Sequence, residues 1–130
     1  MDGTIPVAAS LNYKARQPSL GSVIRCLGSP TLYRAHYRYA PGGIHHTLDF
    51  ELYYIQQGIM ALTQLDGFGN QVPRLDGNTP IVFFSYVPVD SNDKTLDRLT
   101  AGITYEMKQE ISPWPGNFDN ITVKIDPSLQ

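Results

Sequence analysis

Three histidines and two carboxylates lie close together in the sequence, and their side chains could carry metal chemistry. His36 precedes a glycine- and proline-rich stretch, His45 and His46 follow it, and Asp49 and Glu51 come next. Imidazole and carboxylate groups are common ligands of zinc and other transition metals. The alternative, which we favour, is that both carboxylates pair with neighbouring arginines while the turn histidines are solvated. We therefore predict no metal and no cofactor, and a metal site at these residues stays an open alternative.

No other motif predicts a catalytic centre. Cys26 is the only cysteine, and it lies in the apolar run Val23–Leu27, which favours a buried and unreactive thiol. Gly67 and Gly69 are typical of a hairpin turn, because no helix is predicted to follow them as a phosphate loop requires. The two carboxylates could act as acid and base, but each already has a predicted cationic neighbour. We predict no catalytic residue and no enzymatic activity.

A row of basic side chains is the second candidate site. Arg34, His36 and Arg38 alternate along one predicted strand and therefore share one face of it. We place this face outward, where its basic side chains could bind phosphates while an aromatic ring stacks on a base. The facing carboxylates would cancel much of the positive field, so a plain solvated ion-pair surface is about equally favoured. The candidate RNA-binding residues are Arg34, His36, Arg38, Thr47 and Tyr53.

A hairpin must position these residues. The alternating runs Leu32–Tyr39 and His46–Ile55 flank a loop rich in turn formers. Placing Tyr39 opposite His46 matches every pair chemically, whereas a slip of one residue would bury arginines among apolar side chains. In this register Arg38 faces Thr47, His36 faces Asp49 and Arg34 faces Glu51, while Tyr37, Ala35 and Tyr33 face Leu48, Phe50 and Leu52.

Further strands are predicted on both sides of the hairpin. The run Ile81–Val87 carries no charge, which indicates a central strand that is covered on both faces or lies against a partner. The other β-prone segments are Thr4–Ala8, Ser22–Leu27, Ile59–Leu65 and a short piece at Val72–Leu75.

A long helix follows the last strand. Apolar residues recur at spacings of three and four, which is one stripe of a helix, and they predict a helix from about Asn92 to Ile111. Gly102 lies inside it and indicates close approach of another backbone. Pro113 and Pro115 end the helix. The stripe consists of Leu96, Leu99, Ile103, Met107 and Ile111.

The length of 130 residues predicts one domain. Its parts are N-terminal strands and loops (1–31), the sheet (32–88), the helix (92–111) and an extended tail (113–130). The predicted class is therefore α+β, an antiparallel β-sheet of about five to six strands followed by a long C-terminal amphipathic helix.

Composition limits the functional classes. The chain is 42% hydrophobic and 17% charged, with a formal net charge of −2, which argues against disorder and against a general attraction to nucleic acid. A single cysteine favours a reducing cytoplasm. The start MDGTIPVAAS lacks the pattern of a signal peptide, and no apolar run is long enough for a spanning helix.

One segment resembles the cupin family. The string His45-x-Thr47-x-x-x-Glu51, with Pro41-Gly42-Gly43 before it and Gly58 after it, is similar to the first cupin motif. This resemblance implies a small β-barrel, either a binding protein or a metalloenzyme. Thr47 stands where that motif has its second histidine, and no histidine follows His46. The cupin-like barrel is our alternative prediction.

A second segment resembles the coat proteins of levivirus-type single-stranded RNA bacteriophages. Residues 80–104 (PIVFFSYVPVDSNDKTLDRLTAGIT) combine a strand ending at Pro88, a polar connection at 90–93 and an amphipathic helix. The resemblance implies a sheet extended across a homodimer, with the helix of each subunit covering its partner. The implied dimer interface consists of Leu96, Leu99, Gly102, Ile103 and Met107.

The same resemblance implies a capsid function. Dimers would self-assemble into an icosahedral shell that packages the single-stranded RNA genome, and the loop at 66–79 would make contacts at the symmetry axes. The protein would be synthesised in the cytoplasm of a bacterial host and reside in the virion, without contact with a membrane.

Overall fold

Six strands form one mostly antiparallel sheet in a computed structural model that describes residues 17–39 and 46–126. The strand order is β4-β3-β2-β1-β5, and β6 pairs with β1 in parallel. The strands are β1 (Leu32–Arg38), β2 (His46–Tyr54), β3 (Ile59–Gly67), β4 (Phe83–Tyr86), β5 (Ser112–Pro113) and β6 (Lys124–Ile125). Within the described residues, three helices accompany them, α1 (Leu20–Leu27), α2 (Asn92–Leu99) and α3 (Tyr105–Lys108). The α+β class is confirmed.

The register predicted for the β1–β2 hairpin is confirmed. Arg34 lies opposite Glu51, His36 opposite Asp49 and Arg38 opposite Thr47. Complementary charge and apolar pairing therefore select the observed register over its one-residue slips. The predicted strand Ile59–Leu65 is confirmed within β3, which pairs with the full length of β2.

The apolar face of the hairpin forms the main core. Helix α1 covers part of this face with Leu20 and Val23, and the segment after β5 covers another part with Trp114 and Phe118. Each of these aromatic rings packs against the ring of Phe50. The buried hairpin residues on this face include Tyr33, Ala35, Tyr37, Leu48, Phe50 and Leu52.

The opposite face of the sheet is also covered. Tyr53, Met60 and Leu99 form a second buried apolar cluster, with half-buried Leu96 and Ile111 packed against it. Because α2 supplies Leu99 from the same chain, this helix covers its own sheet, and the expected cover of a partner subunit stays a prediction.

The long helix at 92–111 is not present, so that prediction is wrong. Helix α2 ends at Leu99, and the Thr100 hydroxyl donates to the carbonyl of Leu96 at 2.8 Å. The Thr104 hydroxyl then accepts from the backbone N–H of Met107 at 3.2 Å and starts the short helix α3. Side-chain hydrogen bonds of these threonines thus compete with a continuous helical ladder. A Cβ added to Gly102 would meet no atom within 4 Å, so the predicted close approach is also wrong.

Two predicted strands are corrected as well. The segment Ser22–Leu27 belongs to α1, where the Ser19 hydroxyl accepts from the N–H of Ser22 at 3.1 Å in a capping box. Within Ile81–Val87 the strand β4 is short, and it lies at the sheet edge rather than at its centre. The segment Thr4–Ala8 lies outside the described residues, and residues 72–75 form no strand in the described part of the chain.

Candidate functional site

A charged group at the middle of the hairpin is the most organised polar feature of the described chain. The Nε of Arg34 donates to Oε1 of Glu51 at 2.6 Å, and the Tyr53 hydroxyl donates to the same oxygen at 2.8 Å. All three residues are buried. The pairing across β1 and β2 follows from the register, which sets the arginine and the carboxylate directly opposite each other.

Glu110 joins this group from a distant part of the sequence. Its Oε1 accepts from Nη1 of Arg34 at 3.1 Å and lies 2.8 Å from Nδ1 of His36. An ionised carboxylate only accepts hydrogen bonds, so the contact places the ring N–H of His36 on Nδ1. We call Arg34, His36, Glu51, Tyr53 and Glu110 the inner cluster. Glu110 follows α3, so the cluster ties that turn to the sheet.

A second ion pair extends the polar row toward solvent. The Nε of Arg38 donates to Oδ2 of Asp49 at 2.7 Å, and the side-chain amide of Gln64 donates to Oδ1 at 2.9 Å. The Arg38 side chain is 42% exposed, which makes this pair weaker and more accessible than the inner cluster.

Burial and charge shift the pKa values inside the inner cluster. Burial, together with the charge and the hydrogen bond of Glu51, raises the pKa of Tyr53 above its ordinary range. Burial by itself would lower the pKa of Arg34, but the hydrogen bond and charge of Glu51 and the hydrogen bond of Glu110 raise it overall. The phenol is therefore held neutral and the guanidinium charged, which suits a structural network better than proton transfer.

The predicted RNA-binding residues do not form one exposed row. Arg34 and Tyr53 are buried, so their placement on an outward face is corrected. His36 and Thr47 are half-buried, and Arg38 offers the most accessible charge of the set. The helix α2 and residue Glu110 cover this face. The alternation of residue types along a strand does not predict whether another part of the chain packs on a face.

The predicted dimer-interface residues are similarly divided. Leu99 and Leu96 pack against the second apolar cluster within the chain. Ile103 and Met107 are half-buried and belong to neither core cluster, and Gly102 is exposed. Their role between subunits stays a prediction.

The candidate metal ligands and the cysteine lie partly within the described residues. In the described ranges, no group of three or more histidine, cysteine, aspartate or glutamate residues could hold a metal ion, and His45 lies outside them. Glu51, which the cupin-like motif would use as a ligand, is held by Arg34. Cys26 is exposed, so its predicted burial is wrong.

The outer edge of β4 pairs with no strand among the described residues, and the sequence prediction missed this edge position. The N–H of Val87 donates to the carbonyl of Gly58, the residue before β3, at 2.9 Å. Because successive residues of a strand point their backbone groups to opposite sides, Phe84 and Tyr86 direct theirs away from β3. The uncharged run was a usable signal, but it was assigned to a central strand that is covered on both faces or lies against a partner.

Glu110 was also missed by the sequence prediction. It is separated from Arg34 by 76 positions, and no spacing rule connects a turn after a helix to a strand so far away. A scan against protein-family models and searches of curated proteins and of solved structures found no match to this chain.

Proposed function

We propose that this chain is a structural protein that associates with itself through β4, so that its sheet continues across a homodimer. The observation that carries the proposal is the outer edge of β4, with which no strand of residues 17–39 and 46–126 pairs, and to which Phe84 and Tyr86 direct their backbone groups. Unpaired strand edges are templates for pairing with another chain.

The side chains along this edge favour association over protection. Folded proteins commonly guard a free edge with charged side chains, yet the whole run from Pro80 to Val89 carries none. Phe83 is 54% exposed and Tyr86 is 64% exposed. Burying both aromatic side chains against a second copy would remove a large apolar area from water.

A two-fold axis beside Ser85 would satisfy both edges at once. Phe84 of one copy would then lie opposite Tyr86 of the other, and the same surface would serve both subunits. The N–H of Val82 donates to the carbonyl of Leu62 at 2.8 Å, next to the pairing of Phe83 with that residue, which is the geometry of a β-bulge. This bulge and the two flanking prolines keep the pairing short, so aromatic contacts must contribute much of the stability.

The larger proposal is a capsid protein. The resemblance of residues 80–104 to the coat proteins of levivirus-type phages supports assembly of such dimers into an icosahedral shell around single-stranded RNA. Since Arg34 and Tyr53 are buried, we assign the direct phosphate contact on this face to Arg38, with His36 and Thr47 beside it. Leu96 and Leu99 then support the shell indirectly, through the fold of each subunit.

Assembly state tests the proposal. Size-exclusion chromatography with light scattering, followed by electron microscopy, should show dimers and particles of uniform diameter for the natural protein. Tyr86→Lys should shift it to monomers, because a charge on the edge opposes pairing. Tyr105→Lys is the matched control, since Tyr105 is 74% exposed on α3, away from β4. If the natural protein is monomeric at high concentration, the proposed self-association is wrong. A monomer that binds zinc would support the cupin-like alternative.

RNA packaging needs a separate measurement. The ratio of absorbance at the nucleic-acid and protein maxima should fall for purified particles of Arg38→Ala and stay unchanged for Arg74→Ala. Arg74 is a suitable control because its side chain is exposed and its ion pair with Asp119 is long, at 3.9 Å. Equal ratios for both variants would remove Arg38 from the RNA contact.

A further inference from the structure

A cavity of about 730 Å³ opens at the outer edge of β1, beside the inner cluster. Helix α3 and the turn after it form one wall, and β6 forms the other. The residues that matter for its chemistry are Ala35, Tyr105, Glu106, Glu110, Val123 and Lys124. Its volume is within the range of pockets that hold small organic ligands.

The floor of the cavity is a gap in strand pairing. Strand β5 pairs with β1 as far as Tyr33, and β6 begins its pairing at His36. The carbonyls of Thr31 and Tyr37 point to this outer edge, where they accept from Trp114 and Asp126, so the backbone of Ala35 points there too. Because β5 and β6 occupy both flanks, an added strand cannot run along this edge. The space suits a compact ligand.

Glu110 presents a hydrogen-bond acceptor to the cavity. Its Oε1 accepts from Arg34 and faces His36, whereas its Oε2 makes no hydrogen bond within the described residues. The side chain is only 14% exposed. No buried side-chain oxygen of the described residues lacks a hydrogen-bond partner, so Oε2 is open to solvent and a donor can reach it. The two contacts on Oε1 hold the carboxylate in one orientation in advance.

Charge favours a cationic donor. Within the inner cluster, the single guanidinium of Arg34 faces two carboxylates, Glu51 and Glu110. Glu106 adds a third carboxylate at the cavity wall, and Lys124 lies on the opposite wall as the competing internal cation. Tyr105 and Val123 supply an aromatic and an aliphatic surface, and an aromatic face also attracts cations.

We propose that this cavity binds a small organic cation, an ammonium or guanidinium group attached to a compact apolar body. The charged group donates to Oε2 of Glu110, and the apolar body lies between Tyr105 and the wall formed by β6. This site does not depend on the proposed assembly, because it lies at the opposite end of the sheet from β4.

Phenethylamine and its uncharged analogue 2-phenylethanol are suitable probes. Two-dimensional NMR titration of the ¹⁵N-labelled protein should show shifts that saturate for residues lining the cavity, and affinity for the amine about tenfold or more above that for the alcohol. Equal affinity for the two probes, or shifts elsewhere on the protein, would overturn the proposal.

Two variants locate the interaction. Glu110→Gln keeps one acceptor oxygen for Arg34 and His36 but replaces the other with an amide donor, so amine binding should fall about tenfold or more. Lys124→Met removes the competing cation and should strengthen amine binding, while an unchanged or weaker affinity would contradict a cation site. Because Lys124 is exposed, this variant remains informative if Glu110→Gln impairs folding.

Discussion

Arg34 is the residue on which the polar interior of the hairpin depends. It is buried, and its guanidinium is the charge that two carboxylates share, Glu51 at 2.6 Å and Glu110 at 3.1 Å. Buried ion pairs add little net stability compared with apolar groups of similar shape, but the loss of one partner leaves an uncompensated charge. The stability of the hairpin should therefore be sensitive to this one side chain.

Arg34→Met tests that sensitivity. The substitution retains much of the apolar stem but leaves both carboxylates without their cation, so the free energy of unfolding should fall by about 3–5 kcal/mol. Urea denaturation followed by circular dichroism measures the change. Arg74→Met, at an exposed ion pair, should change the free energy by less than about 0.5 kcal/mol. Similar effects at both positions would contradict a special role for the inner cluster.

The buried phenol of Tyr54 should make the folding stability depend on pH in the alkaline range. Its hydroxyl donates to the carbonyl of Gly28 at 2.9 Å, and burial raises its pKa from 10.0 to about 12. The neutral phenol is thus favoured in the folded state. Its contribution to stability is fully present below pH 10 and is lost as the pH rises through the folded pKa, because the unfolded chain ionises first.

Urea midpoints from about pH 9 to about pH 11.5 would measure that loss. The decline should be shallower in Tyr54→Phe than in the natural protein, and part of it should remain because the pKa of Tyr53 is also raised. Tyr105→Phe, at an exposed tyrosine, should leave the decline unchanged. Identical curves for Tyr54→Phe and the natural protein would refute the assignment.

At the scale of elements, the turn between β2 and β3 also anchors β4. Gly58 has a φ of +69°, its carbonyl accepts from the N–H of Val87, and a Cβ at this position would overlap the carbonyl oxygen of Val87. Gly69 has a similar φ of +57°, but a Cβ there would meet nothing within 4 Å. Substitution of Gly69 therefore tests backbone strain alone, whereas substitution of Gly58 tests backbone strain together with the overlap with Val87.

Alanine substitutions at both glycines should differ in cost. Gly69→Ala should lower the free energy of unfolding by about 1 kcal/mol, because alanine is strained in the left-handed backbone conformation of this position. Gly58→Ala must also push β4 away from β3, so its cost should be about 3 kcal/mol or more. Chemical denaturation of the two variants measures the difference. Equal costs would mean that β4 can move freely, which would weaken its role as a preformed edge.

For the whole molecule, coverage of both sheet faces leaves the edges for association. Apolar clusters pack on each face of the central strands within one chain. Of the large apolar side chains that remain exposed, Val82, Phe83, Tyr86 and Val89 lie on or beside β4. Self-association by stacking sheet faces is therefore less favourable than pairing at this edge.

Leu99 distinguishes a core residue from an interface residue. It is buried against Tyr53 and Met60 in the same chain, so Leu99→Asp should unfold the subunit rather than yield folded monomers. Met107→Asp, at a half-buried position outside both clusters, should leave the subunit folded. Circular dichroism with size-exclusion chromatography separates these outcomes. Folded monomers of Leu99→Asp would instead place Leu99 between subunits.

The amino-acid sequence by itself determined the hairpin and its register. Alternation assigned Tyr33 and Phe50 to one face, and the opposed charges of Arg34 and Glu51 made a slip of one residue unfavourable. These are interactions between two strands that are close together in the sequence, so local spacing is sufficient to predict them. The polarity of a strand face says which residues share that face, but nothing about what covers it.

Tertiary structure decided the rest. The stripe from Leu96 to Ile111 is compatible with one helix, yet the hydroxyls of Thr100 and Thr104 end and restart it, and Ile111 packs onto the second apolar cluster after the break. Glu110 thereby reaches Arg34, 76 positions away in the chain. Contacts between residues so far apart in the sequence depend on the tertiary path of the chain. The periodicity of apolar residues does not predict that path.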